Sequence, residues 1–289
     1  MKTTVIPIPS DEHVNSVVGL APEGQWQLDA GGYYTPSHTQ KIVRKQFNEC
    51  ISDVAYIRKK SKLVVVNNGD AVEMNKHSHG IRITQNGDEA TRMASVVFDE
   101  MLNGMKFGKK DRLFFVRGTE SHVGELAKYE ERLARDLDAH PDFKGSADND
   151  YKDGRYTHYV LRLVAHNQLI QIAHHGPAPG RREWTLENAL WYQLKNTYFS
   201  CLKAGQTIPR VMVWSHYHTF VEATFKYPGG QIDGFLTPGL TTKDGFAHRA
   251  TKGTGLAHVG MLALIVAEDG TVERICPRIE YQDTPVIEV

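Results

Sequence analysis

VVVNNGDAVEMNKHSHG, residues 64–80, opens as a valine run and ends in a polar stretch carrying two histidines. The run stops abruptly on Asn67-Asn68-Gly69-Asp70. A short β-branched run bounded by a glycine reads as a buried strand. Gly-Asp after such a strand reads as a turn. It also reads as a carboxylate delivered at the carboxyl end of a strand, where open sheets with helical crossovers build their sites. The rest of the chain decides between the two readings.

Working outward, the same arrangement recurs. TTVIPIP (3–9) is followed by Asp11 and His13, and RLFFVRG (112–118) by Thr119, Glu120 and His122. LIQIA leads into His174 and His175, and PRVMVW into Ser215, His216 and His218. Five apolar runs thus each deliver a potential ligand at the same end. Asp-x-His and His-x-His on extended chain would aim both side chains of a pair to one face, because a strand repeats every two residues. A mixed shell of carboxylate and imidazole suits Mn, Fe, Zn or Ni better than Ca or Mg. Asp70, placed centrally, is suited to bridging two ions.

Between the runs, four segments have helical patterning: 40–60, 88–106, 122–140 and 185–205. Ile42, Val43, Phe47, Ile51, Val54 and Ile57 form one stripe of the first. Thr185 is the expected N-cap of the last, and Gly205 its C-terminal stop. Further strands are expected over 158–165, 169–175 and 260–268, with hairpins around 166–168 and 268–270. Residues 141–155 and 227–257 read as glycine-bearing loops. Helices and strands alternate early and hairpins follow. The expected class is α/β, a sandwich of sheets and helices with both parallel and antiparallel pairs. No repeat or linker divides the chain, so residues 1–289 are expected to form one domain.

Composition narrows the setting. The 289 residues are 40% apolar and 24% charged, and 34 basic residues balance 34 acidic ones. That balance carries no global signal for duplex nucleic acid or a membrane surface. The three cysteines, Cys50, Cys201 and Cys276, are far apart and form no CxxC pair, as in a reduced chain. The opening MKTTVIPIPSDEH lacks a signal-peptide apolar region, and no apolar run approaches a membrane span. The expected location is the cytoplasm, or a host cytoplasm if the chain is phage-encoded. Histidine, at 14 residues, is the abundant oddity.

Taken in order, Asp11-x-His13, Gly69-Asp70, the turn GTESH (118–122), His174, and Ser215-His216-x-His218 resemble the motifs of the calcineurin-like metallophosphoesterases. The resemblance runs from Asp11 to His218. It implies a four-layer α/β/β/α sandwich with two mixed sheets, and two-metal hydrolysis of a phosphomonoester or phosphodiester. It implies that Asp11, His13, Asp70 and His218 hold one ion, and Asp70, His174 and His216 the other. The implied cofactors are two divalent transition-metal ions, Mn first, with Fe, Zn or Ni also suited.

The third motif departs from the family pattern. Thr119 stands where an asparagine ligand is usual, and Glu120 where the general-acid histidine is usual. Glu120 is then the expected oxygen ligand, and His122 the expected catalytic imidazole, protonating the leaving oxygen beside the bridging Asp70. Ser215 replaces a usual glycine. GTESH together with GDAVEMNKHSHG resembles a branch common in phage and prophage genomes. That likeness favours a nucleotide or nucleic-acid phosphodiester as substrate, the reading of a phosphodiesterase or nuclease.

His77 and His79 are read either as a polar loop or as substrate-facing. Thr119, His175 and Arg181 are further candidates for substrate contact. A degenerate, non-catalytic metal-binding or scaffold relative is the alternative that GTESH leaves open. The sequence sets no oligomeric state.

Overall fold

A computed structural model describes residues 2–74, 81–142, 154–180, 182–243 and 256–281. Its first sheet has six strands in the order β14 (Val272–Ile275), β13 (Leu262–Ala267), β1 (Thr3–Ile8), β4 (Lys62–Asn67), β5 (Arg112–Val116) and β6 (Thr157–His158). β1, β4, β5 and β6 run parallel, whereas β13 and β14 are antiparallel additions at one side. The second sheet has five strands in the order β10 (Val221–Tyr227), β11 (Gly230–Leu236), β9 (Val211–Trp214), β8 (Gln168–Ile172) and β7 (Leu161–Ala165). Here β8, β9 and β11 are parallel and the two outer strands antiparallel. Two short ribbons complete the strands: β2 (Trp26–Gln27) with β3 (Tyr33–Tyr34), and β12 (Ala257–Gly260) with β15 (Arg278–Tyr281).

The apolar runs are unbroken because both faces of each strand are covered. Ile6, Ile8, Val64, Val66, Phe114 and Val116 turn toward Ile170, Ile172, Val211, Val213 and Phe235 of the second sheet. Their neighbours Val5, Leu63, Val65, Leu113 and Phe115 pack on helices α1 (His38–Arg58), α2 (Gly87–Gly104) and α4 (Lys128–Asp136). On the far side, Met212, Trp214, Ile232 and Leu236 pack on Leu190 and Leu194 of α5 (Asn188–Ala204). The layers are therefore α/β/β/α, with two mixed sheets face to face.

Helix starts follow local chemistry. Ser37 and Gln40 close a reciprocal capping box on α1. Asn86 caps α2, with Asp88 and Glu89 in its first turn. Gly205, left-handed at φ 63°, ends α5.

Four expectations shift. The helix expected over 122–140 is two pieces, α3 (Glu120–Val123) and α4, separated by Leu126 and Ala127 at φ 54° and 55°. The break frees the short piece from the register that α4 needs to bury Leu133 and Ala134. Thr185 does not cap α5: its hydroxyl bonds to the Arg182 carbonyl at 2.9 Å, inside a preceding 3-10 turn, and α5 starts at Asn188. The strand expected over 158–165 is β6 in the first sheet and β7 in the second, the chain crossing between them. The loop expected over 227–257 begins as β11, which pairs with β10 through a two-residue turn at Pro228-Gly229, with Gly229 at φ 94°. Among the described residues, no helix is long and apolar enough to cross a membrane.

Candidate metal centre

Parallel pairing brings the carboxyl ends of β1, β4 and β5 to one edge, and those of β8 and β9 to the facing edge. The loops leaving them converge. The loop after β1 is zipped to the loop after β4: Asp11 N donates to Gly69 O at 2.9 Å, His13 N to Asp70 O at 3.0 Å, and Val14 N to Ala71 O at 3.0 Å. Asp11, His13, Asp70, His216 and His218 all have left-handed backbones, with φ of 53°, 43°, 58°, 75° and 50°. None of these residues is extended, so strand alternation does not aim them. They are aimed by strained turns, each costing on the order of 1–3 kcal/mol unless the surroundings impose it. Gly69, at φ 89°, is needed for space as well: a Cβ there would lie 2.5 Å from His174 Nδ1 and 2.8 Å from Gly118 Cα.

The six aspartate and histidine side chains that the resemblance implies as ligands meet here, together with His122 and His175. Four groups have ligand atoms mutually within 4.8 Å: Asp11, His13 and His218; His13, Asp70 and His122; Asp11, Asp70 and His174; and His174, His175 and His216. Asp70 and Asp11 each belong to two of them, which links the two sides. Asp11 Oδ1 lies 3.2 Å from His218 Nε2 without hydrogen-bond alignment, and His13 Nε2 is buried with no hydrogen-bond partner. A buried carboxylate oxygen and a buried ring nitrogen left without partners fit a divalent cation between them.

The polar environment differs across the cluster. Glu73, buried, takes hydrogen bonds from His13 Nδ1 at 3.0 Å and His122 Nδ1 at 2.8 Å on one oxygen, Oε2. A ring nitrogen of each histidine lies within 4.8 Å of an Asp70 carboxylate oxygen. Burial works against both charges, yet the hydrogen bond to His122 holds Glu73 down at about 2. Glu73 in turn lifts His122 to about 9 against its own burial. Burial also opposes ionisation of Asp70, but His174, 3.1 Å from its Oδ2, holds it well below the carboxylate range. Asp70 raises His174 to about 10. Asp11 is lowered too, His218 outweighing burial.

Across the cleft the rings have no carboxylate behind them. Thr119 Oγ1 sits 3.3 Å from His174 Nε2, 3.1 Å from His175 Nε2 and 3.2 Å from His216 Nδ1. His174 Nδ1 is 2.7 Å from the Asn68 carbonyl. Burial and the nearby His174 lower His216 to about 4 and lower His175 as well. Neutral rings present lone pairs, the form in which imidazole binds a metal.

Three residues support the cluster without belonging to the implied ligand set. Glu73 was visible only as the end of GDAVE. Glu130 on α4, buried, accepts from Ala71 N at 3.0 Å and Gly118 N at 2.8 Å, tying the Asp70 loop to the Thr119 loop. Ser215, the replacement for glycine, accepts from Asn68 Nδ2 at 2.5 Å and Thr237 Oγ1 at 2.8 Å, and Thr237 meets Ser10 Oγ at 2.9 Å. These four side chains are buried, and they join the roots of the β1, β4, β9 and β11 loops.

Glu120 is the sequence candidate that the structure leaves outside. It is exposed on the first turn of α3 and belongs to none of the four groups. The helical turn points residue 122, two positions on, at Glu73 instead. His77, His79 and Arg181 lie outside the described residues.

No family model matches the chain, and no curated protein matches it. Among solved structures, the chain is similar to a conserved Streptococcus pneumoniae protein described as a predicted phosphoesterase. The identity is 11%, over 96% of this chain and 99% of that one, with a TM-score of 0.32. It is similar to YfcE, a phosphoesterase from E. coli, at 14% identity over 94% and 99%, with a TM-score of 0.35. It is also similar to Vps29 of Entamoeba histolytica complexed with Zn2+, at 12% identity over 96% and 98%, with a TM-score of 0.34.

Proposed function

We propose that the chain is a metal-dependent phosphoesterase acting on a phosphodiester of a nucleotide or nucleic acid. The observation that carries this reading is the position of Asp70, which lies within ligand distance both of His13 and His122 and of Asp11 and His174. Asp11, His13, Asp70 and His218 would hold one divalent ion, and Asp70, His174 and His216 a second. Two such ions supply Lewis-acid stabilisation of phosphoryl oxygens and a water of lowered pKa at neutral pH.

The chain's own groups do the rest. His122, charged beside Glu73, is placed to give a proton to the leaving oxygen. Glu73 keeps that proton supply oriented by fixing the ring's Nδ1. Thr119 N donates to Asp70 Oδ1 at 2.6 Å, which fixes the carboxylate that both ions would share. The segment leaving His175 carries Arg182 over the ring of Trp184, and Trp184 is 75% exposed. Such a pair supports a substrate that brings a base to stack.

The test is hydrolysis of bis(p-nitrophenyl) phosphate in Mn2+ buffer by the full chain and by D70N. Wild-type turnover with loss in D70N, at unchanged circular dichroism, is the expected result. Equal activity in both would sink the reading.

A further inference from the structure

Thr119 stands where the resemblance implies a carboxamide ligand to the second ion, and a lone hydroxyl is a weaker donor. Beside it stands one more imidazole than the resemblance implies. His174, His175 and His216 direct ring nitrogens at the one hydroxyl, at 3.3, 3.1 and 3.2 Å. Their ring centroids are 4.7–5.3 Å apart, and the three can serve a single ion. His174 donates through Nδ1 to the Asn68 carbonyl, so its Nε2 is the ligand atom. Gly176 follows His175 with its Cα packed on Trp214, where a Cβ would come within 2.5 Å of the indole side chain. That close packing fixes the start of the segment from which His175 projects.

We infer that the second ion site of this chain is a three-histidine site, with His175 replacing the missing carboxamide beside His174, His216 and the shared Asp70. The inference rests on the two-ion reading above and makes it more specific. Three imidazoles and one carboxylate form a donor set suited to Zn2+ or Co2+ rather than Mn2+. Thr119 Oγ1 marks the point on which the three ring nitrogens converge.

The test uses the full chain, stripped with a chelator and titrated with Co2+. Bound metal is counted by elemental analysis, and the visible absorption of the bound ion is recorded. Wild type is expected to take up two ions. H175A is expected to fill the first site unchanged and the second about tenfold or more weakly, with a changed visible band. T119N placed in the H175A background should recover most of the lost affinity, because it restores a carboxamide. His175 is exposed, so H175A should fold, which far-UV circular dichroism checks. Wild-type affinity for both ions in H175A would overturn His175 as a ligand and leave the two-ion reading standing. A wild-type chain that binds no Co2+ would overturn both.

Discussion

The two sides of the cleft use histidine in opposite ways. On the first-sheet side, one buried carboxylate, Glu73, stands behind both His13 and His122. On the second-sheet side, a carbonyl stands behind His174, and a hydroxyl lies among His174, His175 and His216. Glu73 keeps the His122 ring charged and ready to give a proton. His175 and His216, lowered by burial and by the neighbouring His174, stay neutral and offer lone pairs, while Asp70 holds His174 up. The partner, not the histidine, decides which chemistry each side performs.

Asp70 is the residue that joins the sides, so breaking it should cost most. D70N is expected to lower phosphodiester hydrolysis by roughly 10³-fold or more, and to reduce bound metal on both sides rather than one. Steady-state kinetics together with metal counting check this. A variant that loses only one ion would show that the sides are independent.

E73Q attacks the first side alone. Removing the carboxylate behind two rings is expected to cost roughly 10–100-fold in activity. It should also bring His122 down from about 9 toward its ordinary 6.5, so the alkaline limb of the kcat profile moves to lower pH. The ion-free chain offers a second reading of the same pair. Glu73 is depressed from 4.5 to about 2, so its contribution to stability is full above 4.5 and fades as pH falls toward 2. His122 is raised from 6.5 to about 9, so its contribution is full below 6.5 and fades as pH rises through 9. Thermal unfolding in chelator should therefore show the largest gap between wild type and E73Q between pH 4.5 and 6.5. A gap independent of pH would remove the ion pair from the account.

Much of this was legible in the sequence, and the failures have physical causes. Strands β1, β4, β5, β8, β9 and β13 announce themselves as apolar runs because both faces are buried. The candidate ligands announce themselves by following those runs. Their aim does not: Asp11, His13, His216 and His218 use left-handed turns, which aspartate and histidine favour more than most residues but still adopt rarely, and no local pattern marks which ones do. β10 alternates apolar and polar residues along VEATFKY, the pattern of a half-buried strand rather than an unbroken apolar run, and the Pro228-Gly229 turn after it merges into a glycine-rich stretch. The GTESH motif misleads for a similar reason. Counted along the chain, Glu120 stands next to the ligand position and is the expected source of its oxygen. Wound into a helical turn, it leaves the site, and His122 enters. Glu73 and Glu130 escape because carboxylates that accept hydrogen bonds from ring and backbone nitrogens carry no spacing of their own.

The smallest expected effect lies beneath both sides, at Ser215. A glycine in the related motif made serine look like a mild substitution, and its volume is indeed accommodated. Its hydroxyl, however, receives buried donors from Asn68 on the first sheet and Thr237 at the end of the second. S215G or S215A would take one partner from each donor, leaving Asn68 Nδ2 on the Ala173 carbonyl and Thr237 Oγ1 beside Ser10 Oγ, at a cost of about 0.5–1.5 kcal/mol per bond lost, and would keep every candidate ligand. The expected result is unfolding a few degrees lower with activity reduced only severalfold, measured by calorimetry and turnover on one preparation. If S215A instead loses metal as D70N does, the hydroxyl sets the spacing between the two sides. The difference between them would then depend on a contact that touches neither ion.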